Sequence, residues 1–198
     1  MKTNDATPEK YLGQHKAERD FRRFSFIYDF TEEQYQQIFD CTTYRKFKKG
    51  EIFNEVGKKS TEVGVVLTGH FASVHEPGKL KRIVSEMYSM GGMVVVMDFE
   101  SLKEKKNSVQ QIEAGMVSSL LVLNYQSIII LRHDIPNFDK MVNDFMENYI
   151  VRLKKEHNES LVYDKQEQME HFRVDNKSLN GEMSVKDKKA RVGADRSS

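Results

Sequence analysis

One cysteine, three prolines and no long apolar run distinguish this 198-residue sequence. A lone Cys41 excludes an intramolecular disulfide framework, a four-cysteine zinc site and an intrachain iron–sulfur cluster. The most apolar stretch, Ile128-Ile129-Ile130-Leu131, falls far short of the ~18 residues that suggest a membrane span. The first twenty residues, MKTNDATPEKYLGQHKAERD, hold no apolar run. No signal peptide is therefore expected, and the expected location is the cytoplasm. Neither sign of charge dominates: 31 Lys+Arg stand against 30 Asp+Glu, for a net +1. Overall charge thus gives no indication of a strongly basic nucleic-acid protein, although a local basic patch stays open. A Ser/His/Asp constellation, an HExxH and a P-loop are all missing, so no catalytic residue and no cofactor are expected. His70 and His75, five apart, point to opposite faces of one strand and cannot share a metal.

What is present suffices for a core: 12 Phe, 8 Tyr and 10 Met. Residues 1–23 are polar and charged and read as a leader with some helix. Thr31-Glu32-Glu33-Gln34 is a capping-box pattern, in which the hydroxyl and the amide satisfy each other's backbone donors. Tyr35, Ile38 and Phe39 follow at helical spacing, which predicts a short helix over 31–40. From Tyr44 to about Leu123 short apolar runs alternate with turn residues. The runs are Ile52-Phe53, Val63 to Leu67, His70 to His75, Arg82 to Met87, Met93 to Met97, Val109 to Ile112 and Leu120 to Leu123. Short strands so spaced predict an antiparallel sandwich or barrel, with Pro77-Gly78 as a hairpin turn.

Helix returns after Leu123, first over Tyr125 to Leu131 and then as a long helix opening at Pro136, a residue that suits the first turn. Phe138, Val142, Phe145 and Tyr149 form one apolar stripe on it, and Met146, Ile150 and Leu153 a second. Two stripes predict two partners, one of them another subunit; a helix packed wholly on its own domain is the alternative.

Phe47-Lys48-Lys49-Gly50-Glu51-Ile52, then Gly57, then Val66-Leu67-Thr68-Gly69 resembles the opening of a cyclic-nucleotide-binding domain of the CRP/FNR superfamily. Gly50, Gly57 and Gly69 have the family's spacing, at corners where a positive φ is cheap only for glycine. The element order agrees over about residues 24–155. The resemblance implies an α+β fold: an antiparallel β-roll over 24–135, with flanking helices and a long dimerisation helix over 136–163. It also implies a homodimer along the Phe138, Val142, Phe145, Tyr149 stripe.

In that family a phosphate-binding cassette offers a Gly-Glu pair to the ribose and an Arg-Ser or Arg-Thr pair to the cyclic phosphate. Laid on this chain, the cassette opens at Gly91-Gly92. The first pair then falls on Val95-Val96 and the second on Asn107-Ser108. Only Ser108 keeps its type. Without the acid and the guanidinium, the pocket is expected not to bind a cyclic nucleotide in the usual way, and to take something more apolar or nothing. Any effector is left unnamed. Met87, Met90, Met93 and Met97 crowd the cassette and read as core filling.

Residues 184–198, SVKDKKARVGADRSS, resemble the start of the family's winged helix-turn-helix. They stop where the recognition helix should begin, and Lys188 and Lys189 occupy positions that are usually apolar. Residues 164–198 are thus expected as an incomplete or remnant DNA-binding domain. Lys186, Lys188, Lys189, Arg191 and Arg196 would supply weak phosphate attraction that fades with salt. The sequence therefore supports a transcriptional regulator of this type, or its sensory and dimerisation part. The alternative is a stand-alone interaction module without DNA contact.

Overall fold

The computed structural model describes residues 8–75, 83–89, 94–164, 166, 167 and 170. Pro77-Gly78, Gly91, Gly92, Met90, Met93 and the basic residues Lys186, Lys188, Lys189, Arg191 and Arg196 lie outside that set.

Among the described residues eight strands form two antiparallel four-stranded sheets. They are β1 (Thr42–Phe47), β2 (Ile52–Asn54), β3 (Glu62–Thr68), β4 (His70–His75), β5 (Ile83–Ser89), β6 (Val95–Val96), β7 (Gln111–Ala114) and β8 (Ser118–Asn124). The first sheet runs β1-β8-β3-β6 and the second β2-β7-β4-β5. The result is the expected β-roll.

The centre of the first sheet is buried on both faces, which explains why β3 and β8 read as unbroken apolar runs. Val66, Leu120 and Val122 point between the sheets and join Phe47, Phe71, Val96, Ile112 and Ala114. Val65, Leu67, Leu121 and Leu123 point the other way, into a second core made with the helices.

Those helices are α1 (Pro8–Ser25), α2 (Glu32–Asp40), α3 (Phe99–Glu104), α4 (Tyr125–Asp134) and α5 (Pro136–Val162). The capping box at Thr31 is fully formed: the Gln34 N–H donates to the hydroxyl, and the Thr31 N–H donates to the Gln34 amide. Between α1 and α2, a 3-10 turn at Phe26–Tyr28 packs Tyr28 beside α5. Burial, together with its hydrogen bond to the Asp144 carboxylate, pushes the Tyr28 phenol up to about 12.

Four expectations change. The leader is a docked helix: Ala17 and Phe21 of α1 are buried, and Phe21 packs edge-on against Phe39. Of the strand expected from Met93 to Met97, Val95–Val96 is strand and Val94 and Met97 are not, Asp98 capping α3 directly after Met97; Met93 lies outside the described residues. The strand expected from Val109 starts instead at Gln111, with Val109 exposed. Helix α4 runs on to Asp134, three residues past its expected end at Leu131. The glycine triplet keeps its predicted geometry, with φ of 80°, 80° and 76° at Gly50, Gly57 and Gly69. No helix among the described residues is long and apolar enough to cross a membrane.

Candidate functional site

Strand β6 pairs with β3, Gly64 opposite Val96 and Val65 opposite Val95. That register turns Val96 between the sheets, where it is 0% exposed. A side chain placed there belongs to the core and not to a ligand surface. Asp98 follows as the N-cap of α3 and accepts the Ser101 N–H at 3.0 Å. The helix ends at Lys105 in a left-handed turn (φ 55°), and the chain returns past Asn107 to Ser108. Asn107 is exposed and forms a backbone bridge with Lys59. Its neighbour Lys106 pairs with Glu104, which raises the lysine and lowers the carboxyl.

Ser108, the one cassette residue of unchanged type, is turned inward. It is 3% exposed, and its hydroxyl donates to the Asp98 carboxylate at 2.5 Å and accepts from the Asn54 amide at 2.8 Å. The backbone N–H of Gln110 also reaches it, at 3.2 Å. A hydroxyl has one proton and two lone pairs, so these partners saturate it. Asp98 is itself 3% exposed, and a buried carboxylate must keep such donors. The four residues form a closed polar network that ties α3 to β2 and β7. Sequence reading missed Asn54, Asp98 and Gln110. The available signal was Asp98-Phe99-Glu100-Ser101, an N-cap residue followed by an acid in the first turn.

A cavity of about 580 Å³ separates the outer face of the first sheet from α4 and α5. Val63, Val65 and Leu123 face it from the sheet, and Met141, Val142 and Phe145 from α5. Met97 and Phe99 reach its edge from the end of β6 and the start of α3.

The stripe expected to hold a second subunit lines this same space. Phe138 is 3% exposed within its own domain's core, and Val142 and Phe145 pack against that core. Tyr149, half-buried, faces the cavity. The cause is the start of α5: Ile135 is buried at the α4–α5 junction, and the helix runs back across the sheet from there. Met146 of the second stripe also lines the cavity, whereas Ile150 is 59% exposed. Among the described residues no three His, Cys, Asp or Glu side chains gather as metal ligands.

Two antiparallel sheets rolled together, a short helix between β6 and β7 and a long closing helix are the fold of cyclic-nucleotide-binding domains, as CRP/FNR regulators carry it. The global regulator CLP of Xanthomonas campestris, described as c-di-GMP responsive, is similar at 11% identity and TM-score 0.64, over 82% of this chain and 85% of that one. FixK2 of Bradyrhizobium japonicum is similar at 14% identity and TM-score 0.63, over 77% of each chain. A cyclic nucleotide-binding domain from Methylobacillus flagellatus KT is similar at 12% identity and TM-score 0.56, over 70% of this chain and 81% of that one. At these identities the likeness is one of fold. No protein-family model matches the chain, and no curated protein sequence matches it.

Proposed function

We propose that this chain is the sensory and dimerisation part of a CRP/FNR-type transcriptional regulator whose pocket does not take a cyclic nucleotide in the usual way. The observation that carries the second half is the fate of the cassette. Val96 stands in the core where the acid would be, and the Ser108 hydroxyl is consumed by Asp98 and Asn54. Asn107 brings no charge. An anionic phosphate placed there would lack a cation, and the buried hydroxyl could not turn to it without stranding a carboxylate.

The regulator half rests on the fold and on α5. Phe138 is buried in its own domain and Val142, Phe145 and Tyr149 face the cavity, so we place the dimer seam on the side chains that α5 leaves in water. These are Ile150 and Val151, 59% and 67% exposed, and Leu161 and Val162, 72% and 74% exposed. The two pairs lie eleven residues apart, close to three helical turns, and so share one face. Lysines Lys186, Lys188 and Lys189, with Arg191 and Arg196, are the proposed source of any DNA attraction.

Light scattering tests the assembly. At about 50 µM a dimer with a Kd near 1 µM is mostly associated, and the wild-type chain is expected at twice its 23.1 kDa mass. Ile150→Asp with Val151→Asp should give a folded monomer. Val142→Asp with Phe145→Asp should instead unfold the chain, because it places charges in the sheet–helix core. A monomeric wild type, or a dimer that survives Ile150→Asp with Val151→Asp, contradicts the assignment. Gel shift on the DNA upstream of its own gene then separates a regulator from a module without DNA contact.

A further inference from the structure

We propose that the cavity between the first sheet and α5 binds an amphipathic carboxylate, an apolar carbon chain ending in one anionic group. The proposal rests on the reading above in one respect, that the ordinary cassette is closed to ligand.

Size comes first. Protein interiors are close-packed, so a gap of about 580 Å³ between a sheet and its covering helix is unusual. It falls within the roughly 300–1,000 Å³ of small-molecule sites. Shape follows from α5. Phe138 and Met141, 3% and 2% exposed, close one end, while Tyr149 and Arg152 are half-buried. From Phe138 to Arg152 the helix covers about 21 Å at about 1.5 Å per residue. The cavity is therefore a slot, shut at an apolar end and open at the other. Most of its walls, Val63, Val65, Leu123 and Phe145 among them, are apolar and suit an acyl chain; Tyr125, Asn148 and Tyr149 are the hydrogen-bonding side chains of the lining besides the cations.

Charge sets the other end of the ligand. Lys103, Arg132 and Arg152 line the cavity, and no carboxylate does among the described lining residues. Arg132 is held by Asp139 at 2.6 Å and by Asn143 at 2.9 Å. The Lys103 ammonium lies 5.5 Å from the centre of the Phe99 ring, and the Arg152 guanidinium 5.3 Å from that of Tyr149. Lys103 and Arg152 attract an anion and repel a cation, whereas Arg132 is already paired beside Phe138 and Met141. A second copy of the chain is not the occupant we choose, because the exposed seam at Ile150, Val151, Leu161 and Val162 lies on a different face of α5. A chain seated in the slot would fasten α5 to the sheet and so bias the helix that carries that seam.

Calorimetry on the full chain tests this, with sodium decanoate, decan-1-ol and sodium acetate as probes. Decanoate should bind one molecule per chain at roughly 10–100 µM. Decan-1-ol should bind about tenfold more weakly for lack of the charge, and acetate not measurably. Lys103→Gln with Arg152→Gln should bring decanoate down to the level of decan-1-ol and leave decan-1-ol unchanged. Val142→Trp should fill the slot and abolish both, with its melting curve recorded to show that it folds. No saturable decanoate heat, equal affinity for decanoate and decan-1-ol, or undiminished binding in the glutamine double variant would each overturn the proposal. A parallel cyclic AMP titration keeps the two readings apart. Tight cyclic AMP binding defeats the closed cassette whatever decanoate does. Silence from both ligands defeats the slot alone.

Discussion

Gly69→Ala is expected to cost about 3–5 kcal/mol, a large part of the roughly 5–15 kcal/mol that holds an ordinary domain folded. Two independent penalties meet at this residue. Its φ of 76° is one that L side chains rarely adopt, and alanine there carries strain of about 1 kcal/mol or more. In addition, a Cβ would stand 2.2 Å from the Ser118 hydroxyl and 2.9 Å from the Ser118 Cα. Rotating the hydroxyl away does not relieve the contact with the backbone of β8. Moving that backbone disturbs the pairing of β8 with both β1 and β3. The Ser118 hydroxyl is also committed, since it accepts the His70 N–H at 3.2 Å. Thermal melting should fall by roughly 6–20 °C, or the chain should not accumulate in folded form. Gly50→Ala is the control. Its φ is 80°, likewise positive, but an added Cβ meets nothing within 4 Å, so only the backbone penalty of about 1 kcal/mol applies. Equal melting of the two variants would contradict the packing argument.

Ser108→Ala is expected to lower stability by about 2–3 kcal/mol, the scale of a lost hydrogen bond to a buried charge. The change removes the donor that holds Asp98 at 2.5 Å and the acceptor that holds the Asn54 amide at 2.8 Å. Asp98 would keep the Ser101 N–H, so α3 retains its cap and the loss stays local. Asn107→Ala, one residue earlier on an exposed side chain, should change stability by less than about 0.5 kcal/mol. The contrast bears on function. A serine kept free for a ligand can be replaced at little cost to the empty protein; a serine that closes a buried network cannot. Denaturant midpoints of the two variants within error of each other would mean that the network does not hold α3 as described.

Much of the fold could be read where local chemistry and tertiary packing agree. The run from His70 to His75 is strand β4, set off from β3 by the turn at Gly69. The capping box at Thr31 and the positive φ at Gly50, Gly57 and Gly69 are local requirements that only a few residue types meet. The misses are places where long-range packing decides. Helix α1 looked like a polar leader because its buried face is narrow, with Ala17 and Phe21 as its core contacts. The stripe on α5 was visible, but amphipathicity does not say what faces it: Phe138 joins the chain's own core, while Val142, Phe145 and Tyr149 line the cavity. The cassette positions were legible as a departure from the family pattern. That Ser108 faces inward was not, because its partners Asn54 and Asp98 come from distant parts of the sequence and converge only in the folded roll. The cavity had no sequence signal at all: its walls come from three strands and four helices whose apolar residues all read as ordinary core.

The central claim, a cyclic-nucleotide-binding fold with a closed cassette, is tested most directly by titrating the chain with cyclic AMP and cyclic GMP in a calorimeter. Adding back the missing groups is a poor substitute, because Val96→Glu would place a carboxylate at a position 0% exposed and destabilise the core. The account predicts no saturable heat for either nucleotide up to about 1 mM, equivalent to a binding free energy weaker than about −4 kcal/mol. A saturable isotherm with a Kd of about 10 µM or tighter for either one would contradict it.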